Sequence, residues 1–171
     1  IDPILGDCGD AATLERVFSR VRPEAVFHAA AFKHVPLLQQ QVREAVRNNL
    51  LATQTLALAA DRHGVHNFVL ISTDKAVNPS SVMGATKRAA EIFCQSFAQQ
   101  SRTHFITVRF GNVLDSAGSV VPLFRDQIRQ DAPLTLTVPE MTRFLMTLDQ
   151  SVDLVLHAMT QARGGEIFVR K

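Results

Sequence analysis

Apolar and polar positions along this chain follow two alternating rhythms. Leu14, Val17, Phe18 and Val21 recur at helical spacing and predict a helix over Thr13 to Val21, closed by Pro23. Ala25 to Ala31 then reads as a short buried strand that runs into a loop of small residues. Glu44 to Arg62, rich in Ala and Leu, predicts one long helix with His63-Gly64 as its C-terminal cap. Asn67 to Thr73 is a second strand. Ala85 to Gln99 is a helix whose inner face should carry Ala89, Ile92, Phe93, Ser96 and Phe97, and Thr103 to Phe110 is a third strand. After Gly111-Asn112 the rhythm changes. A short helix is expected over Ser119 to Gln130, beginning near Pro122, and a strand over Leu134 to Val138. A helix over Asp149 to Arg163 should be N-capped by Asp149, and a last strand should span Ile167 to Val169.

Repeated βα units predict an α/β fold, a Rossmann-like doubly wound parallel sheet, with residues 114–171 as a smaller lobe packed beside it. Such sheets bind ligands outside the carboxyl ends of their strands. Three unusual clusters fall there: His28 to Ala31, Ser72 to Lys75 and Phe110 to Val113. A dinucleotide site also requires a glycine-rich first turn, and none of the eight glycines forms a GxGxxG pattern. The expectation is therefore a sheet lacking its first βαβ unit, in a chain cut from a longer protein.

Composition removes several alternatives. A formal net charge of +2, with basic residues scattered, argues against a nucleic-acid or membrane surface. Hydrophobic content is 46%, yet no apolar run approaches the ~20 residues that span a bilayer. Cys8 and Cys94 have no ligand spacing and read as reduced thiols, while His63 and His66 read as turn histidines rather than a metal pair. No metal site is expected. The absence of any tyrosine bears directly on the chemistry.

Thr73, Asp74 and Lys75 place a hydroxyl, an acid and a base side by side at a strand end. A carboxyl can donate to a leaving hydroxyl while an amine accepts a carbon-bound proton. The same three residues also suit an ordinary polar turn. Met83 and Lys87 lie four apart at a helix start and share one face, which can look back toward Thr73. Read singly, Lys87 is a surface lysine and Met83 a core filler. Asn112 and Arg143 are polar where the pattern is apolar; Arg143 suits a diphosphate through its fork, or a surface pair with Glu140.

The segments VFHAAAFKHVPL (26–37), FVLISTDKAVNPSSVMGATKRAAE (68–91), VRFGNVL (108–114), GSVVPLF (118–124) and PEMTRFLMT (139–147) together carry a resemblance. They resemble the CapD-like polysaccharide-biosynthesis family of UDP-N-acetylglucosamine 4,6-dehydratases, within the extended short-chain dehydrogenase/reductases. The resemblance implies a lyase using NAD or NADP: hydride leaves the sugar C4, water is eliminated across C5 and C6, and hydride returns at C6. It implies a partial NAD(P)-binding domain over 1–113 and a substrate-binding lobe over 114–171. By position Asp74 is then the acid for the C6 hydroxyl, Lys75 the base at C5, and Thr73 the assistant at the C4 hydroxyl. Lys87 is the lysine of a Tyr-x-x-x-Lys pair whose tyrosine position is Met83. Asp7, at the end of a third strand of the parent sheet, and Ala29, Ala30, Ala31, Asn49 and Lys87 belong to the cofactor side. Lys33, Asn112, Val120 and Arg143 belong to a UDP-N-acetylhexosamine substrate.

A thioether carries no proton, so with Met83 in that pair the C4 hydroxyl needs Thr73 and Asp74. The methionine form resembles a long, membrane-anchored subgroup, which implies a parent held at the cytoplasmic face of a bacterial inner membrane and a soluble fragment. Homo-oligomeric assembly is left open. Gln39, Gln41, Val42, Ala52 and Asp115 depart from the family pattern, Ala52 and Asp115 where it has glycine. An epimerase of the same superfamily and a non-catalytic nucleotide-sugar-binding module are the alternatives, and the first sits poorly with an adjacent acid and base.

Overall fold

The computed structural model describes residues 1–116, 118–136 and 138–170. Helix α1 (Ala11–Val21) is capped by Asp10, whose carboxylate accepts from the amides of Ala12 and Thr13. Strand β1 (Ala25–His28) leads through an irregular loop to two short helices, α2 (Val35–Gln40) and α3 (Val42–Val46). A π-helical turn over Arg47–Leu51 joins α3 to α4 (Ala52–Arg62). The single helix expected from Glu44 is thus a helix widened by one π turn, and α2 had no helical signal because Pro36 and its neighbours span under two turns. His63 does cap α4, and Gly64 takes the left-handed conformation at φ 68°.

Strand β2 (Asn67–Thr73) passes through a 3-10 turn, Asp74–Ala76, to α5 (Val82–Ala98), and β3 (His104–Phe110) follows. Beyond come β4 (Asn112–Val113), α6 (Val120–Arg129), β5 (Leu145–Met146), α7 (Leu148–Gln161) and β6 (Ile167–Val169). Strands β1, β2, β3 and β6 form one parallel sheet in that order, and β4 and β5 form a separate parallel pair.

Alternate residues of the central strands face opposite helical layers, so both faces are apolar, as a parallel sheet requires. Phe68, Leu70 and Phe105 pack with Leu14, Phe18, Leu56, Ala60, Ala90 and Cys94 of α1, α4 and α5. Val69, Ile106 and Val108 pack on the other side with Ala158 of α7. This is the doubly wound α/β layering the sequence predicts.

Several expectations are corrected. Residues 148–169, expected in a lobe beside the sheet, instead give it a covering helix and its fourth strand. Leu134, Thr135, Leu136 and Val138 lie outside any strand, and Thr137 lies outside the described residues. The Gln127 side chain bonds both the amide and the hydroxyl of Thr135, taking the place of a strand partner. Residues 1–6, including Gly6 beside Asp7, likewise make no strand, since a strand exists only against a neighbour and the described residues offer none. Helix α7 is capped by Thr147 in a reciprocal capping box with Gln150, leaving Asp149 inside the first turn. On α5 the buried residues are Met83, Gly84, Thr86, Lys87, Ala90, Glu91 and Cys94, while Ile92 is exposed. Phe93 and Phe97 pack on the core as expected, Phe97 against Phe105, whereas Ser96 is exposed like Ile92, and the buried face also takes in the charged Lys87 and Glu91 that the apolar pattern passes over.

Candidate functional site

The carboxyl ends of β2 and β3 lie in register, Thr73 beside Phe110 and Ser72 beside Arg109. Thr73 ends β2 and caps the 3-10 turn, its hydroxyl accepting from the Lys75 amide at 3.3 Å and donating to Asp74 Oδ1 at 3.0 Å. Lys75 Nζ donates to that same Asp74 oxygen at 2.9 Å and to Asn112 Oδ1 at 3.0 Å. Four of the expected site residues thus form one hydrogen-bonded cluster. The side chains of Asp74 and Lys75 are 40% and 37% exposed, leaving them open to a ligand.

Gly84 explains how α5 reaches this cluster. A Cβ there would stand 2.2 Å from the Lys75 carbonyl oxygen, so only glycine lets the first turn of the helix lie against that peptide. Ser81 caps the helix through the Gly84 amide, and Gln39 accepts from the Val82 amide at 3.2 Å. One turn on, Lys87 is buried and donates to the Ile71 carbonyl at 2.6 Å, two residues before Thr73. Burial pushes its ammonium down to about 8, opposed by the nearby charge of Glu91 and by Cys94. Met83 shares the buried face but packs with Leu38 and Ala45, beside Val35 and Val82.

The loop after β1 is fixed from behind. Asn49, wholly buried inside the π turn, accepts from the Phe32 amide at 2.8 Å and donates to the Phe32 carbonyl at 3.0 Å. Its amide also reaches the Thr86 hydroxyl at 3.3 Å, linking this loop to α5. Phe32 then borders two clefts. One, of about 400 Å³, is lined by Ala31, Lys33, His34, Leu37 and Gln41; Lys33 lies in its wall. The other, of about 630 Å³, is lined by Asp7, Gly9, Asp10, Arg47, Asn48 and Thr55. Ala29 and Ala30 are exposed on the same loop. His28 below them is buried against Thr53, and burial, then the charge of Lys87, pushes its imidazole down to about 4.

Two expected residues stand apart from the cluster. Val120 opens α6 and is exposed, and Arg143 is exposed with its guanidinium on the Thr142 carbonyl. Among the described residues Arg143 makes no ion pair with Glu140; the β4–β5 pairing instead brings its neighbours Phe144 and Leu145 against Asn112. Asp115 sits at φ 57°, the left-handed region that favours glycine, and its carboxylate pairs with Arg125 at 3.0 Å. Sequence reasoning missed Glu91 and Arg109. Their signal was two opposite charges amid apolar periodicity, and only the fold shows that they meet. Among the described residues no group of His, Cys, Asp and Glu gathers to hold a metal ion.

A parallel sheet with helices on both faces and polar side chains gathered at its carboxyl edge defines a Rossmann-type α/β protein. Within that class the chain belongs to the family described as polysaccharide biosynthesis protein, whose model matches residues 1–171. It is 52% identical to the capsular polysaccharide biosynthesis protein CapD of Staphylococcus aureus over 98% of this chain and 28% of that protein. It is 42% identical to a protein named UDP-glucose 4-epimerase from Rickettsia felis, over 98% of this chain and 49% of the relative. The solved structure of Pen from Bacillus thuringiensis superposes with a TM-score of 0.92 at 38% identity, covering 97% of this chain and 53% of that one. The chain therefore spans about a quarter to a half of the length of these relatives.

Proposed function

We propose that the protein containing this chain is a nucleotide-sugar 4,6-dehydratase acting on UDP-N-acetylglucosamine with NAD or NADP. The observation that carries this reading is the contact of Thr73, Asp74, Lys75 and Asn112 at the adjoining ends of β2 and β3. Elimination of water across C5 and C6 needs a base for the C5 proton and an acid for the departing C6 hydroxyl. An amine and a carboxyl 2.9 Å apart on one turn supply both, and the proton taken at C5 and the one given at C6 balance as water leaves. Thr73, donating to Asp74, offers the C4 hydroxyl a proton path that Met83 has no means to provide.

The residues present fit part of a dinucleotide. The cleft beside Asp7 and Asp10 and the Ala29–Ala31 loop, with Ala29 and Ala30 exposed, lie at the carboxyl edge of the sheet, where this fold binds such ligands. Asp7, Asn48 and the loop would line the nucleotide, with Asn49 holding the loop in place and Lys87 behind it. A bound NAD or NADP supplies hydride acceptance at C4 and return at C6. Lys33, Asn112, Val120 and Arg143 would line the UDP-sugar, the last two from the segment between β3 and α7. No helix among the described residues is long and apolar enough to cross a membrane. We place any anchor of the parent, with attachment to the cytoplasmic face, outside this chain.

A second reading, 4-epimerisation, is favoured by the name of the Rickettsia felis relative. Mass spectrometry of UDP-N-acetylglucosamine incubated with the complete protein and NAD(P) separates the two. Loss of one water from the sugar, abolished in Asp74→Asn with nucleotide-sugar binding retained, is the expected result. Unchanged mass with conversion to the C4 epimer supports the epimerase, and unchanged substrate that still binds supports a binding module.

A further inference from the structure

Glu91 is the one wholly buried carboxylate on α5, and the chemistry above does not use it. It accepts from Ser72 Oγ at 2.6 Å, from Arg109 Nε at 2.9 Å and Nη2 at 2.6 Å, and from Arg88 Nη1 at 2.9 Å. Burial alone would raise its carboxyl, but the bonds from Arg109, Ser72 and Arg88 outweigh it and hold the group below the usual carboxylate range. Removing an ion pair from water is expensive, and apolar residues of the same volume often serve stability as well. The location suggests what the pair does instead.

Ser72 directly precedes Thr73–Asp74–Lys75, Arg109 is its partner in the ladder, and Asn112 lies three residues further on. Glu91 itself is one turn beyond Lys87. We propose that Glu91 is a positioning residue whose carboxylate ties the carboxyl ends of β2 and β3 to α5, fixing Thr73, Asp74 and Lys75 relative to Lys87. Its charge also acts on Lys87. The groups facing that ammonium are Glu91 and Cys94 from its own helix, the Ile71 carbonyl from β2 and His28 from β1, while Arg109 of β3 is bonded to Glu91. This rests on the dehydratase reading for its kinetic arm only.

The test uses the complete protein with Glu91→Gln, which keeps shape and loses charge. Hydrogen exchange at the amides of residues 72–76 should quicken by about tenfold while α7 stays as protected as before. With the negative charge gone Lys87 loses its proton more readily, so the alkaline limb of the dehydration profile should move to lower pH by about half a unit or more. Ser72→Ala, which removes one hydrogen bond from an uncharged donor and leaves the ion pair, should give a smaller rise in exchange and no movement of the limb. Exchange at 72–76 and an alkaline limb both equal to the parent's would overturn the proposal, as would a lowered Tm with neither readout moved. Should Glu91→Gln not fold, unchanged exchange in Ser72→Ala overturns it. Should the parent eliminate no water, the dehydratase reading fails, and exchange alone still decides the role of Glu91.

Discussion

Helices α5 and α6 both begin at a serine, and both follow a loop that carries candidate site residues, yet they stand in the fold differently. On α5 seven residues are buried, Ser81 caps the first turn, and Gly84 brings the helix against the Lys75 peptide. On α6 none is buried; Ser119 stands at the N-cap without a side-chain capping bond, and its hydroxyl is the one buried side-chain polar atom without a partner among the described residues. The lesson is a division of labour. Residues suited to chemistry are held by the sheet and α5, while Val120 and Arg143, which we propose line the substrate, sit exposed on the segment between β3 and α7.

The sharpest break of that contrast is Gly84→Ala. Its Cβ would collide with backbone rather than a yielding side chain, so a loss of about 3 kcal/mol is expected, with dehydration falling more than stability accounts for. Urea unfolding measures the first part; a loss under about 1 kcal/mol would show that α5 moves freely.

Acid should find the same frame through His28. Its folded value of about 4 lies below the unfolded 6.5, so the unfolded chain binds the extra proton between those limits. Stability is then lost as pH falls through 6.5 toward 4, by about 2 kcal/mol between pH 7 and pH 5. Melting curves of His28→Asn should lack that dependence; an identical slope would assign the acid sensitivity elsewhere.

Effects in the α6 region should be smaller. Asp115→Gly relieves the left-handed conformation but removes an exposed ion pair, so the net change should stay within about 1 kcal/mol. Smallest of all, Arg125→Ala should cost about 0.5 kcal/mol or less, and less again in high salt. A larger loss from either would mean that α6 is fastened more firmly than its exposure suggests.

What was legible in the sequence follows the same line. Strands β2 and β3 and helices α1 and α7 announce themselves because apolar period and burial agree there, while α5 was legible as a helix but only partly in the face it buries. The Thr73–Asp74–Lys75 triplet was visible because three functional groups adjoin in the chain. Its bond to Asn112 was not, since 37 residues separate Lys75 from its partner. Glu91 and Arg109 were hidden because a periodicity search discards charges from a core, and the π turn was hidden because helical spacing tolerates one extra residue. The strand expected over 134–138 failed for the opposite reason: alternating Leu and Thr set a strand pattern, but a partner decides whether it forms.

Strands β1 and β6 border the four-stranded sheet, with Phe27 and Val169 half exposed upon them. Handled as an isolated 171-residue chain, the molecule shows two open ladders of amides and carbonyls among its described residues, each ready to template a further strand. Concentrating it alone should favour edge-to-edge association, so solubility in the test tube will depend on how those borders are covered.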